Sequence, residues 1–83
     1  MALLIPPDVV KQLAGIPRKD RQRLLDALET AAASPDGRFP FVTQMVGQPD
    51  VWRLRKGNWR AVYRVQGVDV ILDRVGHRKD IYR

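Results

Sequence analysis

Cysteine is absent from the 83 residues, and histidine occurs once. No disulfide staples such a chain, and no thiolate site holds a metal. A lone His77 does not build a zinc site either. No apolar run approaches the roughly 18 residues of a membrane span. Met1 to Ile5 lacks the basic start and the length of a signal peptide, and Pro6-Pro7 ends it. These absences set the expectation of no metal, no cofactor, no membrane and a reducing, cytoplasmic setting. Acids are scarce beside bases: 9 Asp and Glu stand against 15 Lys and Arg, for a formal charge of +6. That balance favours phosphate-rich or acidic partners. The surplus is mostly arginine, whose planar fork suits phosphate and carboxylate better than a lysine point charge. The length predicts a single domain over residues 1–83. A chain this short buries only about 60% or slightly more of its unfolded surface, so its core is marginal.

What is present is organised around Val51 to Val65, VWRLRKGNWRAVYRV. Trp52 and Leu54 alternate with Arg53 and Arg55. Trp59, Ala61, Tyr63 and Val65 alternate with Arg60, Val62 and Arg64. Period two is the strand signature, because successive side chains leave opposite faces of a sheet. Lys56-Gly57-Asn58 supplies the turn, with Gly57 and Asn58 both able to take positive φ. One face of this hairpin covers a core. The other carries Arg53, Arg55, Arg60 and Arg64, and needs an anionic partner or water to hold like charges apart.

Before the hairpin, Leu3-Leu4-Ile5 reads as a very short edge strand. Pro6-Pro7 and Asp8 open a helix of about two turns that Gly15 stops. A longer helix spans about Arg18 to Ala33, with Leu24, Leu25, Leu28, Ala31 and Ala32 on one side. Its charged residues read as a solvated face. Ser34-Pro35-Asp36-Gly37 is a stop and turn. From Arg38 to Asp50 the pattern is poor: Pro40 and Pro49 break it, and a short strand fits near Thr43 to Val46. After the hairpin, Val68 to Val75 reads as a third strand. Arg64 and Arg74 are candidates for surface ion pairs with Asp69 or Asp73. The predicted class is α+β, with two N-terminal helices packed on one face of a small, mainly antiparallel sheet.

The run Trp52-Arg53-Leu54-Arg55-Lys56-Gly57-Asn58-Trp59-Arg60-Ala61-Val62-Tyr63, followed by Val75-Gly76-His77-Arg78-Lys79-Asp80-Ile81-Tyr82-Arg83, resembles the RelE/ParE superfamily. These are toxins of bacterial type II toxin–antitoxin modules. The resemblance covers nearly the whole chain and implies a RelE-like sheet with two N-terminal helices. Its RelE branch implies a ribosome-dependent mRNA endoribonuclease that inhibits translation. The ParE branch implies a DNA gyrase inhibitor, and a third possibility is a non-catalytic homologue acting through antitoxin and operator DNA. Either branch implies a cognate antitoxin as partner, and the first adds the ribosome and mRNA.

Carried over by position, Arg60 and Arg78 are phosphate clamps, and Tyr82 stacks on a base or moves a proton. His77 is a candidate acid or base, having an ordinary pKa near neutrality. Arg53, Arg55, Lys56, Lys79 and Arg83 are candidate RNA-binding residues. Some relatives carry lysines at the places of Arg53 and Arg55. Arginine does not release its proton, so these two bind charge rather than act as base.

Overall fold

The structure is a computed structural model describing residues 3–33, 39–45 and 47–81, without the side chains of Met45 and Pro49. Helix α1 (Pro7–Ala14) starts on a proline that has no N–H to lose at that position. Gly15 closes it, donating its backbone N–H to Gln12 O at 3.2 Å. Helix α2 (Arg18–Ala33) places Leu24, Ala27, Leu28, Ala31 and Ala32 on its buried stripe. Beside the helices lies a sheet of strands β1 (Leu3–Leu4), β2 (Val42–Met45), β3 (Gln48–Lys56), β4 (Trp59–Gln66) and β5 (Asp69–His77). Its order is β1-β5-β4-β3-β2. Among the described residues, only β1 runs parallel to its neighbour; the other pairings are antiparallel. The predicted α+β architecture is the one observed.

The helices pack Val9, Leu13, Leu24 and Leu28 onto Leu54, Ala61, Tyr63, Val70, Leu72 and Val75 of the sheet. Those of β3 and β4 alternate with the arginines, as the period required. Strand β1 is two residues long and reaches only Val70 and Ile71 of β5. Farther along that edge, Gln12 takes over: its Oε1 accepts the Val75 N–H at 2.9 Å. A side chain from α1 thus completes a sheet edge that the short strand leaves uncovered.

Four local expectations are corrected. Strand β3 begins at Gln48 and contains Pro49. The β4 ladder starts only at Val51, so the missing proline N–H costs no bond on that side. In the hairpin turn only Gly57 has positive φ, at 59°, and Asn58 does not. Glycine at the first central position fits a type II′ turn, whose twist suits the flanking strands. Strand β5 runs from Asp69 through His77, with Val68 exposed in the preceding turn. Finally, Val62 is only 2% exposed although it stands on the arginine face. The expected turn at Ser34 to Gly37, together with Val46, lies outside the described residues.

Strand β5 also carries a bulge. Val62 pairs with Arg74 and Tyr63 with Leu72, which leaves Asp73 as the extra residue. The bulge brings Asp73 to Arg64, Oδ1 to Nε, at 3.9 Å. Both side chains are well exposed, and such a pair contributes little. No described helix is long and apolar enough to cross a membrane.

Candidate functional site

The face turned away from the helices is built by register. Arg55 stands directly opposite Arg60, and Arg53 opposite Val62. On the far side, Arg60 pairs with Gly76 and Val62 with Arg74. Like charges placed directly across an antiparallel pair repel. The pleat nevertheless puts Arg55 and Arg60 side by side, with Arg53 one step along the same face.

These three arginines line one cavity of about 260 Å³, walled also by Pro40, Phe41 and Thr43. Among the described residues, no carboxylate lines it. A volume somewhat below the usual small-molecule range suits a phosphate or a single base rather than a folded ligand.

Arg60 is held in place by the turn beside it. Its Nη1 donates to Gly57 O at 2.7 Å and to Trp59 O at 2.9 Å. Both bonds use one nitrogen of the guanidinium. The opposite edge, Nε–H with Nη2–H, takes no part in them, and that edge matches two oxygens of a phosphate. A tethered fork loses less freedom on binding than a loose one.

The other candidates from the sequence are distributed around this pocket rather than in it. The backbone N–H of Arg78 donates to Asn58 O at 2.8 Å, which brings the start of the tail against the β3–β4 turn. Arg78 and Lys79 are exposed there. His77 pairs with Trp59, and their rings meet edge to face with centroids 5.5 Å apart. Arg60 follows Trp59 on the strand and so leaves the opposite face. The sheet therefore separates His77 from the arginine pocket. Its Nδ1 accepts the Lys79 N–H at 3.2 Å, which ties the ring to the closing turn. Lys56 lies on the helix side and lines a groove against α2 with Arg23. Tyr82 and Arg83 lie outside the described residues.

Two features escaped sequence reasoning. Ile81 is 6% exposed and folds back so that its side chain sits where a Cβ on Gly76 would meet it at 3.7 Å. Val62 and Ile81 are buried but stand apart from the main core, beneath the basic face. Phe41 is the other: it borders the arginine pocket although its segment gave no readable period. An aromatic beside a basic strand was the available signal.

Fold and pocket together define a small α+β domain whose open sheet face gathers three arginines around one cavity. The chain matches the family model of the ParE toxin of the type II toxin–antitoxin system parDE over residues 3–82. It is similar to the RelB–RelE antitoxin–toxin complex from Methanococcus jannaschii, at 30% identity and TM-score 0.78 over 95% of this chain and 94% of that one. The RelE–RelB complex from Pyrococcus horikoshii OT3 aligns at 25% identity and TM-score 0.79, over 95% and 96%. The intact RelBE toxin–antitoxin complex of E. coli aligns at 26% and 0.74, over 90% and 93%. No curated protein matches significantly. The chain belongs to the RelE/ParE superfamily of toxins from type II toxin–antitoxin modules.

Proposed function

We propose that this toxin is a ribosome-dependent mRNA endoribonuclease of the RelE kind, held inactive by a cognate antitoxin. The observation that carries the reading is the clustering of Arg53, Arg55 and Arg60 around one cavity that no described carboxylate lines. Metal-independent RNA cleavage proceeds by attack of a 2′-OH, which gives up its proton, on the adjacent phosphate; the bond from phosphorus to the 5′-oxygen breaks, and that oxygen leaves with a proton. The phosphorane so formed carries more negative charge than the starting diester, and fixed guanidinium groups stabilise it. In this scheme the Nε/Nη2 edge of Arg60 grips the scissile phosphate. Arg53 and Arg55 hold the flanking backbone, and Arg78 approaches from the tail. Tyr82 stacks on a base or moves a proton. His77 has the acid–base chemistry but stands across the sheet, so a direct part in the transfer requires the tail to rearrange. Antitoxin binding over the basic face would neutralise the charge and block access to the ribosome. Complexes of the M. jannaschii and E. coli relatives with RelB support a partner of that kind.

A second reading is inhibition of DNA gyrase, favoured by the match to the ParE family model. Expression of the toxin without its antitoxin separates the two. The first reading expects arrested translation with shortened messages. Intact messages alongside DNA breaks would overturn it in favour of gyrase.

A further inference from the structure

We infer that Phe41 is a stacking platform for a nucleobase next to the phosphate held by the arginine pocket. The inference rests on the ribonuclease reading and adds to it a subsite for a base of single-stranded RNA. Arg55 N–H donates to Phe41 O at 2.8 Å, which continues the β2–β3 ladder one step past the Val42–Leu54 pair. Phe41 thereby stands opposite Arg55, which in turn stands opposite Arg60. An aromatic residue and two guanidiniums thus follow one another across three strands.

The ring is also held. Phe39 stacks on it with centroids 5.2 Å apart and planes 27° from parallel. One flank of Phe41 borders the arginine cavity. The other borders a groove of about 270 Å³ against α2, which Arg23, Asp26 and Lys56 also line. Phe41 is half-buried at the junction of two cavities, the first lined by three arginines and the second of mixed charge, with Arg23 and Lys56 beside Asp26. Part of the ring packs against the main core, and the part that borders the arginine cavity is what a base would meet. Alternating phosphate clamps and aromatic faces is how single-stranded nucleic acid is gripped: the charges follow the backbone, and the ring takes a base whatever its sequence. The arginine cavity supplies the first part and Phe41 the second. Pro40, exposed beside it, extends the apolar surface that a base would cover.

The test compares binding of a short single-stranded oligoribonucleotide with that of the same oligomer carrying abasic sites. A 2-aminopurine in the base-bearing strand reports stacking by its quenching. The wild-type chain is expected to prefer the base-bearing oligomer by about 5- to 150-fold, the range that single stacked bases give. Phe41→Leu keeps apolar bulk for the fold, and its melting curve checks that. It should lose the preference and the quenching while binding the abasic strand as before. Phe41→Trp should restore both. An unchanged preference in Phe41→Leu overturns the platform. Arg60→Ala serves as the control for the reading beneath it and should weaken both oligomers alike. If Arg60→Ala matters and Phe41→Leu does not, only the platform fails. If neither oligomer binds the free toxin, the platform fails as a base subsite; if Arg60→Ala leaves both unaffected, the arginine pocket itself is wrong and the platform falls with it.

Discussion

Arg60 carries two tasks that substitution should separate. Its Nη1 satisfies the carbonyls of Gly57 and Trp59, at 2.7 and 2.9 Å. The proposed second task falls to its other edge. In Arg60→Ala both carbonyls lose a donor. The Gly57 carbonyl lies in an exposed setting, where water replaces the lost partner. At about 0.5–1.5 kcal/mol per net hydrogen bond, the fold should lose about 1–2 kcal/mol in all. A domain with about 5 kcal/mol of stability or more remains almost wholly folded after such a loss. The loss at the transition state is larger: removing one fixed donor from a developing anion costs about 2.7–4 kcal/mol, or 10²–10³ in rate. Arg60→Lys should fall between, because an ammonium keeps the charge but cannot hold both the turn and two phosphate oxygens. Urea melts measure the first effect, and ribosome-dependent message cleavage under single-turnover conditions measures the second. If Arg60→Lys cleaves as fast as the wild type, the fork plays no part. If activity in Arg60→Ala falls only in step with the folded fraction, Arg60 is a turn brace and nothing more.

Two further expectations concern the frame. In Gln12→Leu the Val75 N–H loses its acceptor in a part-buried setting. The expected cost is about 1–3 kcal/mol, read by thermal melting, with faster amide exchange at Val75 as the local signature. Unchanged exchange there would show that the edge is covered some other way. Burial pushes the Tyr63 phenol up from 10.0 to about 12. Between those two values the unfolded chain ionises while the folded chain does not, so stability is complete below pH 10 and falls as pH rises towards 12. Denaturant midpoints across that window should slope downward in the wild type and flatten in Tyr63→Phe.

The hairpin was legible because a period of two survives in Trp52 to Val65, and burial on one face enforces it. Both helices were legible from proline, glycine and leucine spacing. What escaped involves partners distant in sequence or a change of phase. Gln12 reaches Val75, 63 positions away, and no local pattern marks that bond. In β5 the buried positions run Val70, Leu72 and then Val75, a slip of one residue that the bulge at Asp73 absorbs. Taken as one unbroken strand, that segment gives the wrong face to either its start or its end. Pro49 argued against a strand, yet it falls beyond the start of the β4 ladder, where its missing donor goes unnoticed. The arginine face was legible as a face. Its pocket was not, because Pro40, Phe41 and Thr43 come from the segment with no readable period.

The two faces of the sheet divide the chemistry. On one, Arg53, Arg55 and Arg60 gather their guanidinium groups around a single cavity. On the other, His77 rests against Trp59 with Nδ1 accepting a backbone N–H. A neutral imidazole with Nδ1 as acceptor carries its proton on Nε2. The bond to Lys79 fixes the ring against the closing turn. His77 thereby acts on the closing turn, which Arg78 shares, and reaches the pocket only through that turn. On the proposed reading the arginine pocket lowers the barrier by placing charge around the phosphate, which demands geometry rather than titration. The tether from Arg60 to the Gly57 carbonyl is the feature that such a demand explains: an arginine needed only for net charge would gain nothing from being fixed to a turn.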